Sequence, residues 1–175
     1  MLPEIKFSIL VTICIIVTSS VSVAIPYWIT ADNTLYGETI HIYTGLWKSC
    51  GDIQGEIRCI SFTNVEDFVD ATRALMITGI ILFGINLLLA FRIAGEDTRI
   101  TSANICILSL VVGGILLFVA MIVFGTNIDD PTGTISYGSA FYLPIPSAIF
   151  AFIAAGFVHR SKRIQRIQGY SEINT

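Results

Sequence analysis

The sequence is poor in charge. Of its 175 residues only 13% are Asp, Glu, Lys or Arg, while 54% are apolar; a soluble domain of this size carries about 25% charged and about 45–50% apolar residues. The surplus apolar side chains must face something other than water, which excludes a soluble enzyme and a disordered tail. Positive charge is scarcer still, with 10 Lys plus Arg against 13 Asp plus Glu. A nucleic-acid partner needs a basic surface, so none is expected. The 4 cysteines are too few for a disulfide-rich scaffold, and no pair has the Cys-x-x-Cys spacing of a redox or zinc motif.

What charge there is avoids certain stretches altogether. Residues 7–28, 74–91, 103–124 and 141–158 are uncharged runs of 18 to 22 residues, which as helices reach roughly 27 to 33 Å, the thickness of a bilayer's hydrocarbon core. The chain therefore reads as a mainly α membrane protein, one domain over residues 1–175. The first span covers about 7–28, an extracellular loop 29–70, the second span 71–91 and a cytoplasmic loop 92–102. The third span covers about 103–124, a second extracellular loop 125–136, the fourth span 137–158 and a cytoplasmic tail 159–175. Lys6, the apolar run 9–17 and Ser19, Ser20 and Ser22 also fit a secretory signal. Continuation to the interface aromatics Tyr27 and Trp28 favours a retained span.

Orientation follows from the basic residues. Lys6, Arg92, Arg99, Arg160, Lys162, Arg163 and Arg166 share one side, against Lys48, Arg58 and Arg73 on the other, so both termini are expected in the cytoplasm of a plasma-membrane protein. The basic tail is a stop-transfer anchor with some attraction for anionic lipid.

No carboxylate, histidine or lysine occupies the middle of a span, and such groups would mark a proton or ion relay. The expectation is no enzyme, no catalytic residue, no cofactor and no metal. Asn86 is the most polar mid-span residue and is expected to hydrogen-bond between helices. Small residues (Gly79, Gly84, Gly113, Gly114, Ala148, Ala151, Ala155, Gly156) are expected to let the helices approach closely. Cys14 and Cys106 lie in spans as packing residues; Cys106 is also a weak candidate for palmitoylation.

The first extracellular loop changes chemistry. Thr39-Ile-His-Ile-Tyr43 alternates polar with apolar and Ile57-Arg-Cys-Ile-Ser-Phe62 does so less cleanly, the pattern of strands in a small antiparallel sheet. A loop this short cannot hold a sheet by burial alone. Cys50 and Cys59 are the cysteines outside lipid, face an oxidising compartment and bracket Gly51 and Gly55, so they are expected to form a disulfide; a metal or redox pair lacks partners. Arg73, at the mouth of the second span, is placed to stack on Trp28 or Trp47 and to donate to loop carbonyls, or to act as an ordinary interface anchor. The loop carries Asp32, Glu38, Asp52, Glu56, Glu66, Asp67 and Asp70 against Lys48 and Arg58. Asp52, Glu56, Glu66 and Asp67 are candidates for attracting cations within a Debye length of about 8 Å, unless they merely solvate the loop.

Trp28, then Gly45-Leu46-Trp47, then Cys50 and Cys59 resemble the signature of the claudin superfamily, which includes peripheral myelin, epithelial membrane and lens fibre proteins and calcium-channel gamma subunits. Ala71-Thr-Arg-Ala-Leu-Met76 and Tyr137-Gly-Ser-Ala-Phe-Tyr-Leu143 also resemble claudin segments. The resemblance implies a left-handed four-transmembrane-helix bundle capped by an extracellular β-sheet, with Trp28, Gly45, Leu46, Trp47 and Arg73 as its signature residues. It implies cell–cell junctions as the location and cis and trans assembly with itself or with claudin-like relatives in the lipid bilayer, giving a paracellular barrier or a cation-preferring filter. The alternatives are a non-sealing adhesion protein of the myelin, epithelial and lens branch, or an accessory subunit of a channel or receptor. The sequence departs from the claudin pattern at Ile60, where charge-selective members often carry a charge. It departs again at Thr175, a poor fit to a PDZ scaffold, so no such partner is expected.

Overall fold

Pro26 ends the first helix. The computed structural model describes residues 3–35, 38–53, 55–95, 100–128 and 135–173, and in it α1 (Pro3–Ala24) stops ahead of this proline, which biases its predecessor away from the helical region. The span read from composition ran on to Trp28; Tyr27 and Trp28 instead form an elbow leading into a sheet.

That sheet has five strands: β1 (Ile29–Leu35), β2 (Glu38–Thr44), β3 (Lys48–Ile53), β4 (Glu56–Ser61) and β5 (Ile135–Tyr137), in the order β4-β3-β2-β1-β5. All pairings are antiparallel. The stretches expected as strands fall in β2 and β4. β1, β3 and β5 are additions, and β5 brings the second inter-helix loop into the same sheet as the first.

Among the described residues four helices are long and apolar enough to cross a membrane, through segments Lys6–Ala24, Asp67–Arg92, Ala103–Thr126 and Ser139–Arg163. They belong to α1, α2 (Asp67–Gly95), α3 (Ile100–Thr126), and the short α4 (Ser139–Tyr142) followed by α5 (Pro144–Ile173). α2 starts at Asp67, ahead of the expected Ala71, since Asp67 and Asp70 suit the positive end of a helix. α3 packs between α2 and α5, and α1 closes the ring against both. Lys6, Arg92, Arg160, Lys162 and Arg163 all lie toward the helix ends remote from the sheet.

Side chains are sorted as lipid demands. Leu10, Leu88 and Leu108 point outward, 60%, 69% and 64% exposed, whereas Ala148, Ala151, Ala154 and Ala155 are buried. Close approach over small residues replaces a hydrophobic drive between helices. Gly113 seats the ring of Phe83, an added Cβ falling 2.8 Å from Cε1, and Gly114 seats Phe152 and Ala151 of α5. Gly84 and Gly156 correct the expectation of packing: an added Cβ there meets nothing within 4 Å. Asn86 is buried and donates to Thr12 Oγ1 at 3.2 Å, while its Oδ1 accepts from Ser109 Oγ at 3.5 Å, joining α1, α2 and α3. Cys106 is also buried, which does not suit a lipidation site.

Candidate functional site

The Trp28 elbow joins the sheet to the bundle. Its backbone N–H donates to Thr44 O at 3.0 Å and its carbonyl accepts from Gly138 N at 3.0 Å. The indole Nε1 donates to Ser22 O at 2.7 Å, satisfying a carbonyl that Pro26 has left without a helical partner. The ring is fully buried, edge-on to Phe124 at 4.8 Å and Phe141 at 6.0 Å. Ser22 Oγ in turn donates to Ala140 O at 2.7 Å. The end of α1, β2 and the entry to α4 thus meet on one residue.

Two glycines permit that meeting. A Cβ on Gly45 would lie 2.6 Å from Pro26 Cα, and one on Gly138 would lie 2.8 Å from the Tyr27 carbonyl carbon and closer still to its oxygen. The turn beginning at Gly45 then divides its neighbours. Leu46 is fully buried, and Trp47 is 42% exposed. Arg73 holds both: Nε and Nη2 donate to Leu46 O at 3.0 and 2.5 Å, Nη1 donates to Asp70 Oδ1 at 2.6 Å, and the guanidinium carbon stands 4.5 Å from the centre of the Trp47 ring. It stacks on Trp47, while Trp28 is enclosed by phenylalanines.

Cys50 and Cys59 face each other in the β3–β4 register and are joined by a disulfide. β4 is the outermost strand and is exposed along its whole length, so this link and one ladder hold it.

The carboxylates do not converge. Residues facing each other in the register share a face of the sheet, which puts Asp32, His41, Asp52 and Ile57 in one row on one face and Glu56 on the other. Asp32 Oδ1 is 2.6 Å from His41 Nδ1, Asp52 accepts from Gly55 N at 3.0 Å, and Glu56 pairs with Arg58 at 3.1 Å. Glu66 and Asp67 sit apart, at the start of α2. Among the described residues no three His, Cys, Asp or Glu side chains are grouped to hold a metal ion. Glu38 lies among side chains outside the described set.

Sequence reasoning gave no part in seating Trp28 to Ser22, Gly138, Phe124 or Phe141, which complete its surroundings. Gly138 had a signal, standing beside Tyr137 in a segment that resembled claudins; Ser22 had none, because its contribution is partly a main-chain carbonyl.

A membrane-embedded four-helix bundle under a disulfide-tied antiparallel cap is the class of protein this fold defines. The PMP-22/EMP/MP20/Claudin family model matches residues 1–158, and the chain belongs to that family. It is 40% identical over 72 residues to Claudin-1 of Mus musculus and to Claudin-1 of Rattus norvegicus, stretches covering 37% of this chain and 33% of each relative. The match thus spans about a third of the length of these curated relatives. The protein is a claudin-like, multi-pass membrane protein.

Proposed function

We propose that this protein is a non-enzymatic adhesive and sealing component of cell–cell contacts in the plasma membrane. In this reading both termini are cytoplasmic, the sheet is extracellular, and copies associate with one another or with claudin-like relatives within and between membranes. The observation that carries it is the β4 edge. A fully exposed edge strand, with Ile57 and Ile60 65% and 76% exposed, offers unpaired backbone groups and apolar side chains to another chain. The cap behind it is fixed to the bundle by Trp28 and Arg73, so force applied to the edge reaches the membrane.

Sealing is favoured over cation filtering because Asp52 and Glu56 lie on opposite faces of the sheet, each held by a local partner, while Glu66 and Asp67 stand apart from both at the start of α2. A filter needs them gathered along one path. Expression in epithelial cells that lack junctional strands tests the reading. Intramembrane strands by freeze-fracture, enrichment at contacts and a rise in transepithelial resistance are expected, with cation-to-anion permeability unaltered by Asp52→Asn or Glu56→Gln. Dispersed particles and unchanged resistance would overturn sealing; contact enrichment without resistance would assign adhesion alone, as in the myelin and lens branch.

A further inference from the structure

A cavity of about 390 Å³ lies beneath the sheet where α2 begins and α3 ends. Its walls include Phe62, Val65, Phe68, Phe124 and Ile128, and its polar groups include Asn64, Glu66 and Asn127. Among the described residues no Lys, Arg or His lines it. The Glu66 side chain has no hydrogen bond or ion pair among the described residues, whereas Asp32, Asp52, Glu56 and Asp70 each have a partner. An exposed carboxylate without a partner among the described residues, at the rim of an aromatic and aliphatic cleft, matches a cation that is itself wrapped in carbon. The two helix ends do not reverse that sign. The end of α3 is a partially negative terminus, and the partial positive charge at the start of α2 is met by Asp67 and Asp70.

Depth selects among such cations. Phe68 and Phe124 lie at the sheet-side ends of the membrane-crossing segments, and Asn64 and Glu66 just beyond them, so the chamber opens at the level of lipid headgroups. We propose that it binds the trimethylammonium group of a phosphatidylcholine headgroup from the leaflet on the sheet side. Phe rings supply cation–π attraction, Glu66 supplies the counter-charge, and the absence of a basic wall leaves the phosphate at the mouth. A primary ammonium headgroup would keep its tight hydration and gain less. This site is independent of sealing, because it requires only one chain in a bilayer.

The test uses the full chain in nanodiscs of phosphatidylglycerol doped with phosphatidylcholine carrying ¹³C N-methyl groups, with magnetisation transfer to phenylalanine rings as the readout. Transfer is expected in the wild type and is reduced about fivefold by Glu66→Gln and by Phe62→Leu. Asp52→Asn, on the sheet, leaves it unchanged. Intact Cys50–Cys59 linkage in each variant verifies the fold. Equal transfer from ¹³C-labelled phosphatidylethanolamine, or no effect of Glu66→Gln, would overturn the proposal. So would copy-to-copy cross-linking through a cysteine placed at Val65 that is unaffected by phosphatidylcholine, since a second chain would then occupy the chamber.

Discussion

Arg73 stacks on Trp47 with the same guanidinium that grips the carbonyl of Leu46. One side chain therefore fixes a buried residue and its exposed neighbour together, and ties both to the first turns of α2. Arg73→Ala loses the stacking, about 0.5–2 kcal/mol, and leaves a buried carbonyl unpaired, about 1–3 kcal/mol. Thermal unfolding in detergent should show a loss of roughly 2–4 kcal/mol, with reduced surface delivery in cells. Arg73→Lys keeps the charge without the planar fork and should fall between the two. An unchanged melting temperature in both variants would refute the lock.

Gly138 leaves no room for a methyl group against the Tyr27 carbonyl. The obstructing atoms are backbone and cannot rotate away, so Gly138→Ala should cost about 1–3 kcal/mol as an overpacked site. Gly51→Ala in β3 is the matched control, because nothing lies within 4 Å of its added Cβ. It should stay within about 0.5 kcal/mol of the parent. Equal melting temperatures for the two variants would count against the tight elbow.

Removing the disulfide with Cys50→Ser and Cys59→Ser together should destabilise the cap by about 2–3 kcal/mol. The loss should be local. Hydrogen exchange is expected to speed up in β4 and β3 and to remain slow in α1, α2, α3 and α5. Protection of β4 equal to that of the parent would show that the ladder suffices without the covalent link.

Asn86→Leu should cost about 0.6–2 kcal/mol by removing the bonds to Thr12 and Ser109 inside the bundle. Cys14→Ser, at an exposed position on α1, is the comparison within the same membrane-crossing set. Denaturant titration in mixed micelles separates them, and equal midpoints would remove Asn86 from the structural account.

The four crossings were legible because bilayer thickness imposes a length and a composition that survive any packing detail. β2 was legible because Thr39 to Tyr43 alternates. β1 was not, because Asp32, Asn33 and Thr34 interrupt its apolar pattern, and β3 carries Gly51 and Asp52 where strands are usually poor in such residues. β5 is only 3 residues long, below what periodicity can register. Trp28 gave the signal of an interface aromatic and is instead enclosed, since the sheet folds over it. Of the candidate charges, Asp67 belongs to the first turn of α2 rather than to the loop, and the placement of Asp52 and Glu56 on opposite faces depends on strand register, which shifts with every residue of slip and leaves no trace in composition.

β5 comes from the connection between α3 and α4 and is laddered onto β1, which comes from the connection between α1 and α2. The two exposed connections are thus a single graft. A chimera that exchanges one of them must therefore keep the Ile29–Tyr137 and Ala31–Ile135 pairing if both connections are to stay in one sheet.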